Sequence, residues 1–244
     1  MREVRWDYGV TRFEHLSERF LTALRAGGGG VAGACHACVR VLPVQRAAIV
    51  IDEHHAGIQP WYTSDEVAAG VESVQATVGE GPAVDAVATG LPVPVTDLSG
   101  LGERWPGFAD ALAETEVSGA MIAMPLRLGA IRFGALDLYQ EAPGRLDVPT
   151  LSAGLHIADL ITAQLIRSRA HLDDAAPPRI DDALWLEQPM ASRTIHQAAG
   201  MVVAQSNITV PDAYARLRAY AFGHGMSLAD VARAVVTRRI RFEE

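Results

Sequence analysis

Apolar residues recur at helical period at both ends of the chain and at strand period or in short runs through the middle. Phe13, Leu16, Phe20, Leu21 and Leu24 predict a helix over 11–26, which the four glycines 27–30 break. A second helix over 31–42 places Val31, Ala34, Cys35, Cys38, Val39 and Leu42 on a single stripe. After Pro43 the period shortens. Residues 47–52 and 59–63 read as paired strands joined by the polar EHHAG, and 65–76 returns to helix. Pro82 opens a short helix, 93–96 is a further strand, and RWPGFADAL is another helix. The run MIAMPLRLGAIRFGALDLYQ is a hairpin, with strands at 121–128 and 131–139 around Gly129. Strand pairs closed by hairpins, with helices packed on one side, predict an antiparallel α+β sheet domain over 1–146.

A long helix follows. Leu151, Leu155, Ala158, Thr162, Leu165, Arg169 and Leu172 fall at alternating spacings of four and three, a heptad seam weakened at Thr162 and Arg169. Two uses fit that spacing, a parallel pairing of two chains and an amphipathic helix lying on its own sheet. DDAAPP at 173–178 then ends the helix, because Pro177 and Pro178 cannot continue it, and 147–180 is read as connecting helix and linker. The remainder, 181–244, patterns as three short helices. Ile195, Ala198, Ala199, Val202 and Val203 form the stripe of the first, with Ser192 available to cap it and Asn207 to end it. Thr209 with Asp212, and Ser227 with Asp230, open the second and third, with Gly223 and Gly225 between them. About fifty residues in three helices bury only a small core, so support from a partner or from dimerisation is expected.

Charge divides the chain at the same place. Residues 189–244 hold seven Arg against four acidic residues, a net of +3, whereas the preceding residues carry −11 of the total −8. The basic end therefore calls for a polyanion, unless its Arg side chains are simply a solvated helix face. Of 244 residues 49% are hydrophobic and 20% charged, the balance of an ordinary globular chain with room for two domains. MREVRWDYGVTRF lacks the apolar centre of a signal peptide and no run is long enough to cross a bilayer, so a cytoplasmic protein without membrane attachment is expected.

Three features invite chemical readings. The glycines 27–30 lack a preceding strand and a following Lys-Ser or Lys-Thr, so they read as a hinge and not as a phosphate cradle. Cys35 and Cys38 share one apolar helix face and have no second cysteine pair, which favours buried free thiols over a metal half-site; a redox-responsive pair is the alternative. His54 and His55 stand in a polar loop and read as solvated.

The runs IHQAAGMVVAQ, AYARLRAYAF and SLADVARAVV resemble, in order, spacing and residue type, the ANTAR module, a three-helix RNA-binding domain of bacterial transcription antitermination regulators. The resemblance implies a homodimer that binds paired stem-loops in nascent RNA and keeps a terminator from forming. Many members carry Lys where this chain has Ala199, a cation that Arg193, Arg216 or Arg218 would have to supply. Upstream, GEGPAVDA, RWPGFA and PLRLGAIRFGALDLY resemble a GAF domain, a sensory relative of the PAS fold, over 11–140. The whole chain is thus similar to actinobacterial GAF-ANTAR regulators, which implies an α+β GAF (PAS-like) domain followed by an all-α three-helix domain.

RNA loops present unstacked bases, which lie on aromatic or guanidinium planes, and phosphates that attract Arg. Tyr214, Arg216 and Arg218 on the second helix, with Arg193, His196 and Gln197 on the first, are the candidate RNA-binding residues. No cofactor or metal is expected. A small-molecule ligand of the first domain would lie against Trp61, Glu80 and Trp105, unless the two Trp are sheet-packing core. Two other function classes stay open. One is a helix-turn-helix DNA reader, although Leu228, Ala229 and Asp230 stand where base-edge donors would be needed. The other is a redox sensor or enzyme on a GAF scaffold using Cys35 and Cys38, such as a methionine sulfoxide reductase, which needs reactive loop thiols. A non-enzymatic regulator is the expectation.

Overall fold

In a computed structural model the described residues are 7–27, 29–101, 103–115, 117–170 and 190–242. Helices α1 (Asp7–Ala26) and α2 (Ala34–Val41) lead into strand β1 (Arg46–Asp52) and, through a single helical turn at His54–Ala56, into β2 (Ile58–Thr63). Then come α3 (Glu66–Val78), α4 (Pro82–Thr89), β3 (Val93–Val95), α5 (Pro106–Ala113), β4 (Ala120–Leu128), β5 (Ile131–Gln140) and the long α6 (Val148–Ala170). The boundaries have local causes. Asp65 caps α3 by accepting from the Ala68 N–H at 2.8 Å, and Gly79, in the left-handed region at φ 76°, ends it. Proline opens both α4 and α5, where its missing N–H is no loss.

The five strands form one antiparallel sheet in the order β2-β1-β5-β4-β3. Helices cover both of its faces, not one as the hairpin pattern predicts. Ile49, Ile122, Met124, Leu136 and Leu138 pack with Phe20, Cys38, Ile157 and Ile161 of α1, α2 and α6. Ala48, Val50, Met121, Ala123, Ala135 and Tyr139 pack with Ala68, Val71, Ala83, Ala86 and Phe108 of α3, α4 and α5. The reason is visible in the strands. Seven consecutive residues of β4 and six of β5 are buried, and a strand without a polar alternate needs a cover on each side.

α6 uses much of its heptad spacing within its own chain. Ala158 and Leu165 are buried in the first core, beside Ile157 and Ile161, and Thr162 is buried with its hydroxyl donating to the Ala158 carbonyl at 2.8 Å. Leu151 and Leu155 are only half-buried. Leu172, the side chain of Arg169, the linker 173–178 and the domain boundary near 181 lie outside the described residues.

The C-terminal helices are α7 (Met190–Ser206), α8 (Val210–Gly223) and α9 (Leu228–Val236). Asn207 ends α7 at φ 49°, and the Thr209 and Ser227 hydroxyls accept from the N–H groups of Asp212 and Asp230 as helix caps. Their core is Ile195, Ala198, Ala199, Val202, Ala213, Tyr214, Leu217, Ala221, Leu228, Val231, Ala232 and Val235, with one intruder from the first domain, Ala56. So small a core needs support, and here the first domain of the same chain provides it.

Candidate nucleic-acid interface

The expected RNA surface is divided between solvent and the first domain. Arg193, Gln197 and Arg216 are exposed. His196 and Arg218 instead meet the segment 53–57 that joins β1 to β2, the polar EHHAG that sequence patterning makes a mere connector, and Tyr214 is buried behind His196. His196 Nε2 lies 2.7 Å from Glu53 Oε2, and the Ser192 hydroxyl donates to both Glu53 oxygens at 2.7 and 2.8 Å. Trp61 Nε1 donates to the same carboxylate at 3.4 Å. The other ring nitrogen, Nδ1, bonds the Tyr214 hydroxyl, and the two rings meet edge to face. Arg218 Nη1 donates to the Ala56 carbonyl at 3.2 Å. Further along, the Leu228 N–H at the start of α9 donates to Thr77 Oγ1 of α3 at 3.1 Å.

Electrostatics follow from that placement. Burial pushes the Glu53 carboxyl up, but the hydrogen bonds from His196 and Ser192 outweigh it and hold the group below its ordinary pKa. The Glu53 hydrogen bond raises the His196 pKa against the opposing effect of burial. In the imidazolium both ring N–H groups donate, one to Glu53 and one to Tyr214. Burial raises Tyr214 and lowers Arg218 from their ordinary values. At 5% exposure Tyr214 offers no stacking plane in this arrangement, whereas Phe222 is 54% exposed and Tyr220 stacks on His224 at 3.9 Å. Ala199 is itself buried, so the position gives no surface on which a cation would stand.

Beside these bonds an open cleft of about 360 Å³ runs between the domains, lined by Ser73, Thr77, Asp110, Phe222, Met226 and Ser227. The residues expected to line a ligand site within the first domain do not converge. Trp61 packs against the α1/α2/α6 side of the sheet, while Trp105 is buried on the other side, donating from Nε1 to Asp85 Oδ2 at 3.1 Å under the Arg104 guanidinium. Glu80 Oε2 accepts from the Gly107 N–H at 3.0 Å.

Between the sheet and α3 lies a polar cluster that sequence reasoning missed. Glu72, Gln75 and Asp137 are fully buried. Tyr139 donates its hydroxyl hydrogen bond to Glu72, Gln75 Nε2 donates to Glu72 at 2.8 Å and to Asp137 at 3.4 Å, and Gln75 Oε1 accepts from the Ala83 N–H. Burial pushes both carboxyl groups up, and for Asp137 the neighbouring Glu72 adds to it. Signals for this cluster exist in the chain. Glu72 and Gln75 are three apart on one helix face, and Asp137 takes the same strand parity as Ala135 and Tyr139.

Cys35 stands in the first turn and Cys38 in the middle of α2, a shorter helix than 31–42, with both side chains fully buried and Cys35 Sγ donating to the Tyr62 carbonyl at 3.3 Å. Burial raises Cys35 and pushes Cys38 up to about 12. Both thiols are therefore expected to resist iodoacetamide at pH 7.5 for hours in the folded protein and to react within minutes in urea. Rapid native-state labelling, followed by mass spectrometry, would contradict this. Among the described residues no three His, Cys, Asp or Glu gather as a metal site. None of the described helices is long and apolar enough to cross a membrane.

Comparison with known proteins gives a match for each end of the chain. Residues 186–236 match the ANTAR domain. No curated protein matches the chain. Among solved structures, the GAF domain of a phosphoenolpyruvate-protein phosphotransferase from Coxiella burnetii is similar over 67% of this chain and 98% of its own, at 15% identity and a TM-score of 0.50. The corresponding Acinetobacter domain covers 67% of this chain and 96% of its own at 10% identity and a TM-score of 0.49. A type II free methionine-R-sulfoxide reductase from Thermoplasma acidophilum covers 62% and 96% at 17% identity and a TM-score of 0.44. The first of these shows a shared fold. The class is thus a GAF-fold domain followed by a three-helix nucleic-acid module. With the ANTAR match at its C-terminal end, the chain joins a GAF-like fold to an ANTAR domain.

Proposed function

We propose that this protein binds RNA stem-loops through α7 and α8 and regulates transcription termination under the control of its GAF domain. The observation that carries the reading is the ANTAR match at 186–236, laid over a folded three-helix unit that presents Arg193 and Arg216 to solvent. Two such units on paired stem-loops require a homodimer. Leu151 and Leu155 of α6 pack against the edge of the chain's own core but stay half-buried, and they are where a second chain would pack, since Ala158 and Leu165 are buried within that core. A regulator of this kind works in the cytoplasm, where nascent RNA is, and acts by binding, not by catalysis.

The test is equilibrium binding of the full chain to RNA stem-loops with a fixed stem and a randomised loop, against a duplex DNA of the same length. Binding to the RNA is expected to be the tighter. Arg216→Ala should weaken it for most loop sequences alike and reduce the slope of log K against log salt by about 0.7, the loss of one phosphate contact. Preferential binding to duplex DNA would replace this reading with the helix-turn-helix one.

A further inference from the structure

We propose that Ser192 and His196 form an anion subsite for an RNA phosphate, and that Glu53 of the GAF domain occupies it in the closed arrangement described above. The inference rests on the RNA-binding reading and deepens it, because it assigns the ligand's chemical group and makes the described structure the one that excludes RNA.

The site is built for an anion. Ser192 and His196 are four residues apart on one face of α7, and their donors converge on a single carboxylate at 2.7 to 2.8 Å. The Ser192 side chain is directed into this junction and not to solvent, being only 2% exposed as a residue. Tyr214, bonded to Nδ1, fixes the plane of the imidazole so that Nε2 points at the acceptor. A carboxylate and a phosphodiester share what such a site recognises, one negative charge spread over two acceptor oxygens. The exposed Arg193 and Gln197 adjoin the pair on the same helix, so a backbone phosphate seated there has further donors within reach of its neighbours.

Occupation by Glu53 covers more than the subsite. The four residues from Glu53 to Ala56 bond His196, insert Ala56 into the three-helix core and take the Arg218 guanidinium with a main-chain carbonyl. Of the six residues expected to face RNA, His196 and Arg218 are thereby engaged by the first domain, and Tyr214 is held behind them by His196. RNA and the GAF domain compete for the same donors, so any signal that withdraws the segment 53–56 raises RNA affinity, and bound RNA in turn favours the open arrangement.

The experiment uses the full chain and the randomised-loop RNA stem-loops, with domain separation read as radius of gyration by small-angle scattering. Glu53→Gln removes the charge that the subsite holds, and Ala56→Arg pries the segment out by steric means while leaving Glu53 in place. Both are expected to expand the protein and tighten RNA binding roughly tenfold or more, the reciprocal of the open fraction in the wild type. Adding His196→Gln to Glu53→Gln should cancel much of that gain and lower the salt slope by up to about 0.7. If both single variants expand yet bind RNA no more tightly than the wild type, the subsite is not one for RNA. If neither expands, the segment does not hold the domains closed, and the inference is equally overturned. Measurable stem-loop binding in either case leaves the RNA reading standing, whereas expanded variants that bind no stem-loop would end that reading itself.

Discussion

Gly134→Ala is expected to destabilise the GAF domain by at least ~3 kcal/mol, at the upper end of what over-packing costs. Gly134 lies in β5 opposite Ile51 of β1, and a Cβ at this position would come 1.9 Å from the Val50 carbonyl oxygen and 2.9 Å from the Ile51 Cα. Those atoms are main chain in the middle of the sheet, held by ladder bonds on both sides, so no side chain can swing away to make room. Gly129, at the tip of the same hairpin, is the control. A Cβ there meets nothing within 4 Å, and the left-handed φ of 59° alone should cost only about 1 to 2 kcal/mol on replacement by alanine. Urea midpoints of the two variants, compared at equal slope, decide the matter. Similar shifts for both would show that β1 and β5 can separate at Gly134 without penalty.

Stability is further expected to fall as pH rises from about 5 to about 8, with Glu72 and Asp137 as the source. Their carboxyl pKa values are raised in the folded protein, chiefly by burial. A group raised in this way keeps its proton when folded and gives it up when unfolded, once the pH exceeds the ordinary carboxylate value of about 4. The folded state then binds more protons than the unfolded one, so unfolding becomes easier with each step in pH until the raised pKa is passed. Stabilisation from the cluster is fully present below the ordinary value and lost above the raised one. Glu72→Gln preserves shape and can still accept from Tyr139, but removes a titrating group; the variant should lose less stability over this range. The Glu53 to His196 pair fades in the same direction, because the His196 pKa is raised as well. Both proteins in the comparison should therefore carry His196→Gln. Equal losses in urea titrations with and without the Glu72→Gln substitution would place the pH dependence elsewhere.

Periodicity made the helices and strands legible because it reports which face of each element is buried, and Ser227, Thr209 and Asp65 mark helix starts by chemistry that acts within four residues. The second cover of the sheet was legible only in part. An apolar run such as MIAMPL says that both faces of β4 are buried, but the hairpin pattern alone does not say by what. For the candidate site, residue types put forward His196, Tyr214 and Arg218 as groups that RNA recognition uses, and the structure places His196 and Arg218 against the first domain. Their partners were out of reach. Glu53 and Ala56 are separated from α7 and α8 by more than a hundred residues, and EHHAG has the composition of any solvated turn. The Glu72, Gln75 and Asp137 cluster was hidden for a related reason. Each is a single polar residue in an apolar context, and only the register of β5 against β1 and β4 brings Asp137 under α3.

α3 has its sides in different compartments. It is thirteen residues long, about 20 Å, and it turns Glu72 and Gln75 into the GAF core while Thr77, less than a turn further on, accepts the first N–H of α9. A helix moves as a rod, so whatever displaces its buried side displaces its outer side by the same amount. Starting from 3.1 Å, the Thr77 bond is lost after a slide of roughly half an ångström. The start of α9 would then hold a buried donor without an acceptor, a penalty of about 1 to 3 kcal/mol. The interior of one domain is in this way joined to the end of a helix in the other through a single rigid piece, whose position along its own axis sets the length of that bond.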